Sequence, residues 1–457
     1  MRKESKMNGI VWIVLYPQFS AYNAMFPVAR ELELQGYRAV FVGNSTFFQY
    51  VNETGFDYRI LEPDEEWLNQ LHDRHDRELD AMEIKSRFAE FRIKARLNLE
   101  KNQMAGNHML EKVKNLMNEL PPNLVLSDCL VPQNSIPFLK ESIPIVGVST
   151  CLSSVFSWRT PPVFSKVVPN RRLTAFNRVR NLAAWLKLAL RRWKEKIMFK
   201  GYFVVALGLK GLKASKTIQN AGGRVRLGEY GDRLDVPELV MATRELDFPQ
   251  VAQSMVRHYA GACVDASRPN DPFDWSRVDP QKQLIYCSLG SHSEWAKENW
   301  RRLITSLTEA MTHLSDKQLI IQVSDEEDRE AINPVPDNVI VADWVPQLEV
   351  LEKADLFITH GGLSSVREAI YFGVPMVVFP YGMDQPGNAA RVVFHKLGLR
   401  GDISTVDAQK ISDLITRAMT DSDIQHSIEQ MRGIFRRQTN YQETVAFLER
   451  FMSTNRE

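Results

Sequence analysis

The sequence predicts an α/β protein made of two doubly wound parallel-sheet domains facing a cleft, and three observations predict it. The chain opens strand–helix–strand: GIVWIVLYP (9–17), a helical pattern over about 24–35, then a strand at 39–43. That order implies a right-handed parallel crossover. The rhythm restarts late in the chain, where LIYCSLGS (284–291), QLIIQVS (318–324), NVIVADW (338–344), LFITHGG (356–362) and PMVVFP (375–380) each read as a buried strand leading into a loop or helix. Finally, 457 residues exceed what one ordinary core holds.

In the first helix, Met25, Val28, Ala29 and Leu32 recur at helical spacing and Gly36 stops it. YPQFSAYNAMFP (16–27) therefore reads as the loop after the first strand and the entry to that helix. LVLSD (124–128), IPIVGVST (143–150) and ELVMAT (238–243) supply further strands, and charged helical stretches fill roughly 64–119. The Pro-, Asp- and Ser-rich part of 249–283 marks a connection. The expected division is a domain over 1–245, a linker over 246–283, a second domain over 284–435 and a terminal segment over 436–457.

The apolar (44%) and charged (25%) fractions are ordinary for a soluble protein. Lys plus Arg (57) balance Asp plus Glu (56), which argues against nucleic acid as a partner. Cys129, Cys151, Cys263 and Cys287 lack metal-ligand spacing and fit small apolar positions in the reducing cytoplasm. The basic start mimics a signal peptide, but its apolar run, Ile10 to Leu15, is short, lacks a cleavage site and reads as a strand. One region is strongly basic: 171–200 carries ten basic residues and one acidic. Phe176, Val179, Ala183, Leu186, Leu190, Trp193 and Ile197 form one apolar face there. Two readings stand open: a helix packed on its own domain, or peripheral contact with a membrane or lipid-like acceptor.

The chemistry concentrates in THGGLSSVREAIYFGVPMVVFPYGMDQPG (359–387). A strand ends at Thr359 and the Gly361–Gly362 turn opens a helix, whose N–H groups, with the Ser364 and Ser365 hydroxyls, suit an anion. His360 can donate to the same anion. Glu368 follows on the helix, and Asp384 and Gln385 stand at the carboxyl edge of the next strand, where such sheets bind ligands.

In WVPQ (344–347), HGGLSSVREA (360–369), GVP (373–375) and DQ (384–385), in that order and spacing, the chain resembles the family 1, UDP-glycosyltransferase-like enzymes. The resemblance implies the GT-B fold of two Rossmann-like domains, with a nucleotide sugar, taken as UDP-linked, in the second domain. It implies an inverting hexosyltransferase with a small or lipid-like acceptor in the first domain, and a last helix (about 444–451) that returns there. Trp344 would stack on the base, Val345 meet it through its backbone, and Gln347 lie near the ribose. Ser291, His360, Gly362 and Ser365 would serve the diphosphate, Glu368 the ribose hydroxyls, and Asp384 and Gln385 the sugar. No metal or other cofactor is expected, because a helix N-terminus with His360 can replace a cation.

The chain also departs from the family. Ser364 stands where the family has Asn, and Gly382 and Met383 replace the aromatic before Asp-Gln, so the choice of sugar does not carry over. The base His after the first strand aligns with Ala21 and the Gly before it with Ser20, leaving Tyr22 and Asn23 as polar neighbours on the acceptor side; its Asp partner aligns with Asp128. Three explanations remain open: an already ionised acceptor, a base supplied by Asp128 or a group such as His108, or an inactive nucleotide-sugar-binding partner protein.

Overall fold

The computed structural model describes residues 7–61, 108–152, 155–207, 218–229, 231–252, 254–268, 272–290, 297–330, 332 and 334–452. Two parallel sheets organise it. The first comprises β1 (Gly9–Val14), β2 (Tyr37–Gly43), β3 (Asp57–Ile60), β4 (Leu124–Asp128), β5 (Ile145–Ser149), β8 (Glu238–Val240) and β9 (Arg257–Tyr259), in the order 3-2-1-4-5-8-9. The second comprises β10 (Gln283–Ser288), β11 (Lys317–Gln322), β12 (Val339–Ala342), β13 (Leu356–Thr359), β14 (Met376–Val378) and β15 (Gly398–Arg400), in the order 12-11-10-13-14-15. A hairpin of β6 (Val225–Gly228) and β7 (Gly231–Leu234) stands apart. The expected doubly wound architecture is therefore present twice.

Continuous apolar runs make these strands because both faces of each sheet are covered. In β1, Val11 and Ile13 face a core shared with Met25, Val28 and Leu32 of the first helix. Ile10, Trp12 and Val14 alternate to the other face, against Val113 and Met117. β10 repeats the pattern, with Leu284 and Tyr286 on one side and Ile285 and Cys287 on the other. The strand order reverses between β1 and β4 and between β10 and β13. Each sheet thus opens a crevice at the carboxyl ends of those strands, the position such folds use for ligands.

One expectation needs correction, and the structure adds detail to two others. The first helix is Phe19–Leu34, starting five residues earlier than its apolar spacing suggested. Gln18 caps it in extended conformation and Pro27 lies inside it, so Ser20, Ala21, Tyr22 and Asn23 belong to its opening turns and not to a loop. The expected linker contains β9, which extends the first sheet beside β8; its residues RHY offer no apolar run to read. Of the helical stretch over 64–119, residues 62–107 lie outside the described residues, and 108–119 is helical. The short strands β3 and β15 also escaped the reading.

The chain passes between the sheets twice, and the two passages touch. Ala262 donates its N–H to the Gln438 carbonyl (2.9 Å) and Cys263 to the Tyr441 hydroxyl (3.1 Å). The last helix, Gln442–Met452, then lays Val445, Phe447 and Leu448 into the core of the first sheet. Side chains of the first passage, Ala262 and Val264, join Leu246 in the core cluster under the second sheet. Gly261 makes the crossing possible: its φ is +103°, and a Cβ there would lie 2.5 Å from the Gln438 oxygen.

Gly261→Ala should destabilise the protein by about 2 kcal/mol or more, from backbone strain and the clash together. Gly222 has φ +87° with nothing near its Cβ position. Gly222→Ala isolates the strain alone and should cost about half as much. Urea unfolding midpoints compare the two; equal losses would show that the crossing is not tightly packed.

Candidate active site

The second sheet's crevice gathers most of the motif residues. Gln347 opens the helix Gln347–Lys353, and Glu368 lies on the helix Leu363–Phe372. The Gln347 amide donates to Glu368 Oε2, and the Tyr286 hydroxyl, in the middle of β10, approaches Gln347 Oε1 at 3.4 Å. Glu368 is buried and its Oε1 lies 3.6 Å from the Arg268 guanidinium. Trp344 is 62% exposed, which excludes a core role and leaves its indole on the surface after β12, while Val345 beside it is buried.

His360, at the tip of β13, is seated by two glycines. A Cβ on Gly290 would lie 2.6 Å from its Cε1, and one on Gly362 2.7 Å from its Nε2. The imidazole therefore occupies the switch point between β10 and β13. Gly362 is also the N-cap of the helix that follows, whose first N–H groups have no acceptor within the helix. Ser365 is half-buried on its opening turn. Ser291 lies outside the described residues.

Asp384 caps the helix Gln385–Phe394, and its carboxylate accepts from Asn388 Nδ2 (2.8 Å). The same amide donates to the Gly361 carbonyl (2.9 Å), locking this helix to the glycine turn. Burial raises the Asp384 pKa, against the Asn388 hydrogen bond, which lowers it. The Gln385 side-chain oxygen accepts from the N–H groups of Tyr381 (3.0 Å) and Gly382 (3.1 Å), so its amide NH2 is the end left to bind.

Ser364 differs from its expected role. Its hydroxyl donates to the Ser20 carbonyl (3.2 Å) and accepts from Arg367 (2.7 Å), so it joins the two crevices and does not present a donor to an anion. Arg367 is buried and its other nitrogen reaches the Met241 carbonyl. The opening turn of the first helix is thereby placed directly against the helix Leu363–Phe372.

On the first-domain side, Ala21 is 4% exposed and packs in the core, with Tyr22 buried beside it and the Asn23 amide oxygen accepting from the Tyr50 hydroxyl. Asp128 ends β4 at the switch point and is 1% exposed. Its two oxygens accept the N–H groups of Leu130 (2.8 Å) and Tyr16 (3.2 Å). Burial pushes its pKa up to about 6; those N–H groups and the more distant Arg233 guanidinium act the other way.

Arg268, Arg367 and Asn388 were missed by sequence reasoning. Asn388 stands four residues after Asp384 on a helix, a spacing that could have revealed it. Arg268 is brought in by the domain crossing and carries no local signal, whereas Arg367 stands one residue before Glu368 on the motif helix. Among the described residues, no group of three or more His, Cys, Asp or Glu side chains is placed to hold a metal ion.

Residues 306–450 match the family model "Erythromycin biosynthesis protein CIII-like, C-terminal domain". The chain is 30% identical over 164 residues to an uncharacterized UDP-glucosyltransferase, YdhE, of Bacillus subtilis (strain 168), covering 36% of this chain and 40% of that one. It is 29% identical over 183 residues to the demethyllactenocin mycarosyltransferase of Streptomyces fradiae, covering 39% and 38%. These matches span about two fifths of the relatives' own length. Over the whole fold, the chain is similar to the glycotransferase of kitacinnamycin (TM-score 0.65, 22% identity, 98% of this chain and 99% of that one). It is likewise similar to the glycosyltransferase VinC in complex with DTDP (TM-score 0.62, 16% identity, 97% and 99%).

The Asp128 carboxyl should titrate near pH 6, read by carbon NMR of the labelled side chain. With a folded pKa above the unfolded value, its contribution to stability is greatest below about pH 4 and is lost as pH rises through 6, by roughly 3 kcal/mol. Asp128→Asn should remove that part of the pH dependence. A midpoint near the ordinary Asp value would contradict the burial.

Proposed function

We propose that this chain, whose fold is GT-B and whose motifs are those of the family 1 glycosyltransferases, transfers a hexose from a nucleotide sugar to a small or lipid-like acceptor, with inversion. One observation carries the reading: Trp344, His360 and Asp384 follow the carboxyl ends of β12, β13 and β14 of one sheet, and Gln347, Glu368 and Gln385 lie on the helices that come next, all within forty-two positions. That edge offers an aromatic face, a carboxylate–amide pair, an imidazole at a helix N-terminus, and a second carboxylate–amide pair. A nucleoside diphosphate sugar presents a base, vicinal hydroxyls, a diphosphate and a sugar in the same sequence.

In this reading the acceptor oxygen attacks the anomeric carbon from the first-domain side, and the bond from that carbon to the diphosphate oxygen breaks. The departing diphosphate gains charge, which His360 and the helix N–H groups stabilise where it develops. Asp128 takes the acceptor proton. A carboxylate with a midpoint near 6 is a stronger base than an ordinary Asp and is still mostly ionised at neutral pH. Each of its oxygens keeps a lone pair beyond the one that accepts a backbone N–H. Asp128 thus fills the role that Ala21 leaves open, and the direct-base explanation is favoured over an ionised acceptor.

Titration calorimetry with UDP and dTDP, side by side, tests the nucleotide site, since VinC is a relative in fold that holds dTDP. UDP should bind, and His360→Ala should weaken it at least about tenfold, the loss of a hydrogen bond to a charged group. Unchanged affinity in that variant would refute the diphosphate assignment. Tight binding with no transfer to phenols, sterols, carotenoid alcohols or lipid phosphates would favour the alternative, an inactive nucleotide-sugar-binding partner.

Asp128→Asn should leave nucleotide affinity alone and lower kcat by roughly 10²–10⁴. The wild-type rate should rise with pH through about 6 as the base ionises. A variant with full kcat would point to an acceptor that arrives ionised. Product NMR should show a β linkage from an α-linked donor; an α product would exclude inversion.

A further inference from the structure

The helix Ala175–Leu207 is attached to its domain by the opposite kind of surface from the usual one. Amphipathic helices normally bury their apolar stripe. Here the buried side is a polar seam: Asn177 and Asn181 donate to the carbonyls of Arg172 (2.6 Å) and Arg159 (2.8 Å), and Trp185 donates its indole N–H to the Thr160 carbonyl (2.9 Å). The apolar stripe of Phe176, Val179, Leu182, Leu186, Leu190 and Trp193 is turned outward, with Leu186 61% and Trp193 64% exposed. Helical spacing puts Lys187 and Lys194, both exposed, along one border of that stripe.

Charge selects the occupant. Ten of the residues from 171 to 200 are basic and one is acidic, in a chain whose net charge is +1. A second copy paired through the same stripe would set basic borders against basic borders. An anionic lipid surface complements both the apolar stripe and its border. Among the described residues no helix is long and apolar enough to cross a membrane, so the contact is peripheral. The seam also ties the helix to the segment 159–172, in which Val163 lies against Gly387 beside the crevice; a Cβ there would meet the Val163 oxygen at 2.4 Å. The exposed stripe thus sits on an element continuous with the rim of the cleft.

We propose that this stripe docks the protein onto an anionic bilayer, with the helix lying in the plane of the interface and the lysines at the headgroups. The proposal stands independently of the transfer reading. Co-sedimentation of the full chain with vesicles of phosphatidylcholine, alone or mixed with phosphatidylglycerol, tests it. The wild type should pellet only with the anionic vesicles, and less at high salt. Leu186→Glu with Trp193→Glu should reduce pelleting at least about tenfold. Lys187→Gln with Lys194→Gln should reduce it about fivefold per charge removed. All four side chains are exposed, and unfolding midpoints should match the wild type. Equal pelleting by wild type and variants, no pelleting by the wild type, or equal binding to neutral vesicles would overturn the proposal. So would a wild-type dimer, in vesicle-free sedimentation, that Leu186→Glu with Trp193→Glu makes monomeric.

Discussion

The close crossing of the two interdomain passages at Gly261 and Gln438 is the constraint on which the rest depends. Each crevice is made by its own sheet, but neither sheet alone makes a site with two sides. The crossing sets one sheet's switch point against the other's. It is reinforced by groups from the same passage: Asp265 pairs with Arg30 of the first helix through both oxygens (2.6 and 3.0 Å), and three residues on Arg268 approaches Glu368. One short segment therefore holds the first domain with a carboxylate and reaches the candidate ribose site with a guanidinium. A further pair, Arg391 with Asp247 (2.6 Å), fastens the linker to the helix capped by Asp384. Both of its side chains are buried, so losing either partner would strand a charge.

Two buried carboxylates of the first domain show how differently that domain treats charge. Glu238 in β8 is surrounded by Arg233 (2.8 Å), Arg257 (2.9 Å) and Arg226 (3.3 Å). Burial alone would raise its pKa, but the guanidiniums, Arg233 foremost, hold it down to about 2. Its stabilising contribution is present above the ordinary Glu value and fades as pH falls toward 2. Asp128 has two backbone N–H groups and only a distant guanidinium, so burial prevails and its pKa rises. Glu238 holds strands and hairpin together, and Asp128 keeps a carboxyl whose ionisation lies closer to neutral pH.

Much of this was legible before folding. Each long strand of both sheets announced itself as an apolar run, because strands covered on both faces are mostly apolar. The WVPQ, HGG and DQ elements were legible because each follows a strand at the carboxyl edge, where local sequence alone places side chains. What escaped was short or remote. β3 (DYRI), β9 (RHY) and β15 (GLR) contain no apolar run. The start of the first helix is hidden because Gln18 is not a usual capping residue and Phe19 and Ser20 are exposed, outside the apolar spacing. Ser364 was read as an anion donor because nothing local reveals the Ser20 carbonyl opposite, 344 residues away in the chain.

The sequence by itself determined the parallel strands of the two sheets and the chemical inventory of the candidate binding edge. These follow from periodicity and from turns whose partners are near in the chain. Only the tertiary structure decided which groups face each other across the cleft, how far Asp128 is shifted, and which side of the basic helix is covered. Those depend on distances between segments hundreds of residues apart, and on burial, which raises or lowers a charge's cost according to neighbours that no local pattern names.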